Sequence, residues 1–166
     1  MKGRTRFFAR ATILAALYAA MTFLQNLLLP GTAGLAIQLR VSEALCVLAL
    51  FTPAAIPGLS AGCLLYNITF AHTLPTDFLV GTAATFLSVG GMYLTRRVTV
   101  RGYPLLAMLL PAMINGIMIG WELSFYIGGA FLFNALCVAA GEAIVLLTFG
   151  SALWYAIRVR HLDSFL

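Results

Sequence analysis

Long apolar runs separated by short breaks dominate the sequence, and nine of its ten basic residues crowd into three places between or beside those runs. Lys2, Arg4, Arg6 and Arg10 lie at the start of the chain, Arg96, Arg97 and Arg101 share one interruption, and Arg158 and Arg160 close the last run. Only Arg40 stands apart. A helix needs about 20 apolar residues to cross a bilayer, so six crossings would use roughly 120 residues and leave about 46 for loops and tails. Composition agrees: 62% of the chain is hydrophobic and 9% charged, where soluble domains carry about 25% charged residues. A disordered segment would lack this apolar content. The remainder is too short for a soluble catalytic or nucleotide-binding domain, so ATP-driven work would require a partner chain.

Grouped in this way, the basic residues follow the positive-inside rule rather than forming a phosphate-binding stripe, which argues against nucleic acid. The run from Phe7 to Leu29 exceeds the roughly 7–15 apolar residues of a cleaved signal peptide and reads as a retained span. We expect an all-α integral membrane protein: one six-transmembrane-helix bundle over residues 1–166, both termini cytoplasmic. The expected helices are 7–29, 37–51, 54–71, 77–94, 103–120 and 128–157, broken at Pro30-Gly31, Thr52-Pro53 and similar turn signals. The boundary between the second and third is the least marked, and a short second helix in a hairpin satisfies the same residues. Trp121, Tyr126, Trp154 and Tyr155 fall where interfacial aromatics belong.

An ionisable or amide group inside an apolar run is costly and therefore a candidate site. At 1.5 Å per residue, Asn115 stands about 21 Å above Arg101, Glu142 about 18 Å above Trp154 and Asn67 about 21 Å above Pro53. Arg40, Glu43 and Asp77 fall in the same outer zone. Each also has a structural reading. Arg40 and Glu43 are spaced for an ion pair on one helix face, Asp77 for a helix cap, and the asparagines for interhelical bonds. Glu122, beside Trp121, reads as a solvated loop charge, and His72 as a lone loop histidine. Glu142 has no basic neighbour in sequence and needs a partner from another helix, a ligand or a proton. Ala11, Ala15 and Ala19 recur every four residues, with Ala16 and Ala20 alongside. Such small residues let another helix approach closely, either within the bundle or from another subunit.

Familiar intramembrane chemistry finds no motif here. The sequence lacks a zinc-protease histidine pair, a Gly-x-Ser-x-Gly nucleophile and a glycine-rich phosphate loop. Cys46, Cys63 and Cys137 lie in apolar runs without metal-like spacing and read as core residues. No catalytic residue, metal site or cofactor is expected.

The segment Gln38-Leu39-Arg40-Val41-Ser42-Glu43-Ala44-Leu45 resembles the QxRxSEAL element of the QueT family. Pro53-Ala54-Ala55-Ile56-Pro57-Gly58, Asn67, the stretch from Asp77 through Gly81 to Thr85, Asn115-Gly116 and Gly141-Glu142 are similar to its later markers. The resemblance covers nearly the whole chain. It implies a substrate-binding (S) component of an energy-coupling-factor (ECF) transporter in the bacterial cell membrane. It also implies uptake of a queuosine precursor, a 7-deazaguanine such as preQ1 or preQ0, with a transmembrane scaffold subunit and two ATP-binding-cassette ATPases as partners. On that reading Gln38, Arg40, Glu43, Asn67, Asp77, Asn115 and Glu142 bind substrate, Tyr66 or Trp121 stacks on the base, and Ala11, Ala15 and Ala19 dock against the scaffold. An S component for another vitamin-like substrate is the nearest alternative. A small intramembrane enzyme using Asp77, Glu142 and His72, and a channel-like or assembly subunit, come from other classes.

Overall fold

The computed structural model describes residues 2–30, 39–70 and 76–161. Six helical rods follow one another: α1 (Lys2–Leu28), a 3-10 helix (Val41–Leu50), α2 (Ala55–Phe70), α3 (Asp77–Thr95), α4 (Leu105–Tyr126) and a final rod. That last rod is α5 (Phe131–Val145), a π-helical turn (Leu146–Gly150) and α6 (Ser151–Val159) in unbroken succession. Four segments are long and apolar enough to cross a membrane: Gly3–Leu28, Asp77–Thr95, Leu105–Tyr126 and Phe131–Val159. Of the six expected spans, four therefore have that length among the described residues, whereas the 3-10 helix and α2 are shorter.

The shortest is the 3-10 helix, whose ten residues rise about 2.0 Å each and so cover about 20 Å. It is narrower than the expected helix 37–51: Leu39 and Arg40 are not helical, and Arg40 has an extended backbone. Ser42 to Ala49 are all buried, and beyond Glu43 the stretch from Ala44 to Leu50 is apolar all round rather than striped. It occupies the middle of the bundle, touching α1, α2, α3, α5 and α6.

Small residues set the helix contacts. A Cβ on Gly58 would lie 2.7 Å from the Ala11 carbonyl oxygen, and one on Gly62 would lie 2.6 Å from that of Ala15. The ascending pairs 11–58 and 15–62 make α1 and α2 parallel. A Cβ on Gly116 would meet the Ala139 Cβ at 2.9 Å, and one on Gly120 the Ala135 Cα at 2.6 Å. Those descending pairs make α4 and α5 antiparallel. α3 packs between α2 and α4.

Polarity is inverted relative to a soluble protein. Leu24, Leu28, Ile68, Leu94, Ile117, Phe125 and Leu136 are exposed, whereas Arg40, Glu43, Asp77, Glu122 and Glu142 are buried. Apolar exposure on this scale marks a lipid-facing skin. Hydroxyls within that skin return to their own helix: Thr12, Thr69 and Thr82 donate to the carbonyls of Phe8, Leu65 and Phe78 at 3.0, 2.7 and 2.6 Å, leaving no donor to lipid.

Helix α4 overruns its expected end at residue 120 and carries Trp121 and Glu122 within its length. Gly120 is a contact point for α5 rather than a stop. Glu122 is thus not a solvated loop charge; it is 0% exposed and accepts a hydrogen bond from Thr76 Oγ1 at 2.7 Å.

Candidate functional site: a polar layer between two apolar clusters

Two apolar clusters fill the interior. One contains Leu45 to Ala49, Val89, Met92, Met108, Leu146 and Ile157; the other contains Ala84, Ile119, Leu123 and Val138. On α4, Asn115 falls between Met108 of the first and Ile119 of the second. On the last rod, Glu142 falls between Val138 and Leu146, one turn from each. These positions, with Arg40, Glu43, Gly81, Thr85 and Ile119, line one small cavity.

Each lining group has a local reason for its place. Gln25 on α1 grips the segment entering the 3-10 helix: its Nε2 donates to the Leu39 carbonyl and its Oε1 accepts the Val41 N–H at 2.7 Å. Arg40 lies between those two contacts, its Cζ 5.9 Å from the centroid of the Tyr66 ring, in the field of Asp77 and Glu43. Glu43 is 2% exposed. The Tyr18 hydroxyl donates to its Oε1 and the Cys46 thiol to its Oε2 at 3.1 Å. The Cys46 contact follows from the 3-10 pitch, which stacks residues three apart. The hydroxyls of Thr22 and Ser42 are bonded at 2.6 Å, tying the same two elements together.

Opposite Glu43 stands Glu142, 3% exposed. Asn115 faces its carboxyl group, while Oε1 has no hydrogen-bond partner among the described residues. A buried carboxylate oxygen without a donor is expensive and is rarely left so without a reason. Thr85 closes the wall, its hydroxyl donating to the Gly81 carbonyl at 3.0 Å.

Asn67 and Asp77 are one step back from the cavity. Asn67 Nδ2 donates to the Asp77 backbone carbonyl at 3.0 Å, joining α2 to the first turn of α3. There the Asp77 carboxylate offsets the helix dipole. Gly81 separates this pair from the cavity: a Cβ there would stand 2.8 Å from Asn67 Nδ2 and 3.0 Å from Asp77 Oδ1. Tyr66 lies beneath Arg40, whereas Trp121 is exposed and stacks on Phe125, away from the cavity. Gln38 and His72 lie outside the described residues.

Of the expected ligand groups, then, Arg40, Glu43, Asn115 and Glu142 share one cavity, and Asn67 and Asp77 support its edge. Tyr18, Thr22 and Gln25, which orient the 3-10 segment, were not among the expected residues. Their spacing of i, i+4 and i+7 puts three polar groups on one face of the largely apolar second half of α1, and that pattern is visible in the sequence. Among the described residues no group of three or more His, Cys, Asp or Glu is placed to hold a metal ion.

Chemically, the cavity offers two carboxyl groups, one guanidinium, one amide and one hydroxyl, with Ile119 as its apolar side chain. That set reads the edge of a small polar molecule through several hydrogen bonds at once. Its volume is about 10 Å³, room for roughly one water, so a larger ligand enters only as the lining groups move apart. An apolar-skinned helix bundle with such a polar layer is the architecture of a membrane protein. Residues 8–159 match the family described as QueT transporter, and the chain belongs to that family. No curated protein and no solved structure matched it.

Proposed function

We propose that the chain is the membrane-embedded substrate-binding subunit of an ECF-type importer in the bacterial cell membrane, capturing a 7-deazaguanine such as preQ1 or preQ0 from outside. The observation that carries this reading is Glu142: a buried carboxylate with an oxygen open to a donor, in a cavity it shares with Glu43, Arg40 and Asn115. A deazaguanine presents adjacent N–H donors from its ring and its exocyclic amine, which one carboxylate accepts together, while an amide pairs with the carbonyl edge. The aminomethyl cation of preQ1 takes a second acidic partner. Gln38, Asn67 and Asp77 complete the proposed binding set around the cavity edge.

The partners proposed are a transmembrane scaffold and two ATP-binding-cassette ATPases, with α1 as the docking helix. Ala11, Ala15 and Ala19 are half-buried on α1, and Ala16 and Ala20 beside them are exposed. Placing the basic residues inside puts both termini in the cytoplasm and the cavity in the outer half of the bundle.

The test is thermal stabilisation of the purified chain in detergent against deazapurines, purines and vitamins, since a ligand bound to the native state raises its apparent stability. A shift with preQ1, preQ0 or queuine alone supports the reading. A shift with an unrelated vitamin retains the importer and replaces the substrate. Folded protein that responds to none of them overturns it.

A further inference from the structure

A second, larger cavity lies at the basic end of the bundle, apart from the polar layer. It has a volume of about 290 Å³ and is lined by Leu50, Phe51, Arg96, Thr99, Pro104, Trp154 and Arg158. These residues come from the end of the 3-10 helix, the α3–α4 turn and α6, so three chain segments converge on it. Neither the proposed substrate site nor the proposed docking helix uses it.

Each of its two arginines lies near an aromatic ring. Arg96 Cζ lies 3.7 Å from the Tyr93 ring centroid, and its Nη1 donates to the Tyr93 carbonyl at 2.5 Å. Arg158 Cζ lies 5.7 Å from the Trp154 centroid. A guanidinium has five N–H donors, so one bond to a carbonyl leaves others for oxygen acceptors. No carboxylate lines the cavity. The described acidic residues, Glu43, Asp77, Glu122 and Glu142, belong to the polar layer and its edge. Arg97, Arg101 and Arg160 surround the cavity in sequence and deepen its positive field.

We propose that this cavity binds a phosphate group, supplied by the headgroup of an anionic phospholipid. Two arginine edges and the Thr99 hydroxyl match the oxygens of a phosphate, which arginine takes in bidentate fashion. The lipid source follows from position. The cavity opens where apolar rods meet the basic turns, and Leu50, Phe51 and Trp154 give its wall the apolar and interfacial character of the headgroup boundary.

The experiment is native mass spectrometry of the full chain with added phosphatidylglycerol or phosphatidylcholine, alongside thermal melts with inorganic phosphate. R96Q/R158Q is compared with R97Q/R160Q, which removes the same charge from residues that do not line the cavity. Retention of phosphatidylglycerol over phosphatidylcholine, weakened about tenfold or more in R96Q/R158Q and little in R97Q/R160Q, is the expected result. Stabilisation by inorganic phosphate without lipid retention, lost in R96Q/R158Q alone, supports the phosphate site and assigns it to a soluble ligand. Equal loss in both variants reduces the effect to general surface charge and overturns the proposal, as does binding of neither probe. Should R96Q/R158Q fail to fold, R158Q alone carries the same comparison against R160Q.

Discussion

The Tyr18 hydroxyl on α1 donates to Glu43 Oε1 on the 3-10 helix, and the Cys46 thiol takes Oε2 at 3.1 Å, so both oxygens of one cavity carboxylate are already engaged. Glu142, across the same cavity, has Oε1 unengaged. The two glutamates are therefore not equivalent: Glu43 is fixed by the protein, and Glu142 is the group with capacity left for a ligand.

Replacing Glu142 by alanine is expected to weaken ligand binding more than tenfold, the scale of one lost charge-assisted hydrogen bond with its partner left unpaired. The bundle should remain folded, because Oε1 has no donor among the described residues to abandon and Asn115 alone loses the carboxyl group it faces. Titration of the purified variant with the stabilising ligand, with its melting curve as control, checks both halves. Unchanged affinity would remove Glu142 from the site.

Tyr18→Phe separates support from contact. It leaves Glu43 Oε1 without a donor in a dry interior, at a cost of about 1–3 kcal/mol. Unfolding of the variant in denaturant should show that loss. Ligand affinity should fall less than in Glu142→Ala. A variant as stable as the parent would mean that Glu43 finds another donor.

Much of this architecture is written in the apolar runs. The basic clusters, the breaks near residues 30, 53 and 96, and α3 to within a residue of Asp77–Thr95 all follow from them. The 3-10 helix does not, because from Ala44 to Ala49 its residues are all apolar and buried, with no polar stripe to reveal whether the period is 3.0 or 3.6. Gly120 misleads for a related reason. Glycine as a helix stop and glycine as a close-packing point look alike in sequence, and only Ala135 on α5 distinguishes them. The residues lining the candidate cavity were legible where a charged or amide side chain interrupts an apolar run, as at Glu43, Asn115 and Glu142. It was less so at Tyr18, Thr22 and Gln25, whose polar face is overshadowed by the alanine pattern on the same helix.

That alanine pattern leads to a prediction on partner docking. Ala15 already lies against Gly62, so a bulky residue there strikes α2 as well as any scaffold. Ala16 and Ala20 point away from the bundle. Ala16→Leu is expected to leave the melting temperature and ligand binding of the isolated chain unchanged while impairing assembly with the scaffold, read by co-purification. Intact assembly would place the docking face elsewhere. Gly62→Val is the internal counterpart. Its Cβ would sit 2.6 Å from the Ala15 carbonyl oxygen, and overpacking of this kind costs about 1–3 kcal/mol or more.

Gly81→Ala tests the edge of the cavity. The added Cβ would stand 2.8 Å from Asn67 Nδ2 and 3.0 Å from Asp77 Oδ1, and both side chains would have to give way. Asn67 would then lose its bond to the Asp77 carbonyl, the contact that fixes the start of α3 against α2. The expected result is a stability loss of about 1 kcal/mol or more together with weaker ligand binding, since Gly81 also lines the cavity. Asn67→Ala removes the same bond without intruding on the cavity. If the two variants lose stability alike but only Gly81→Ala loses affinity, Asn67 acts by positioning α3 and does not touch the ligand. Equal loss of affinity in both would instead make the Asn67 side chain part of the binding surface, with its free Oδ1 as the contacting atom.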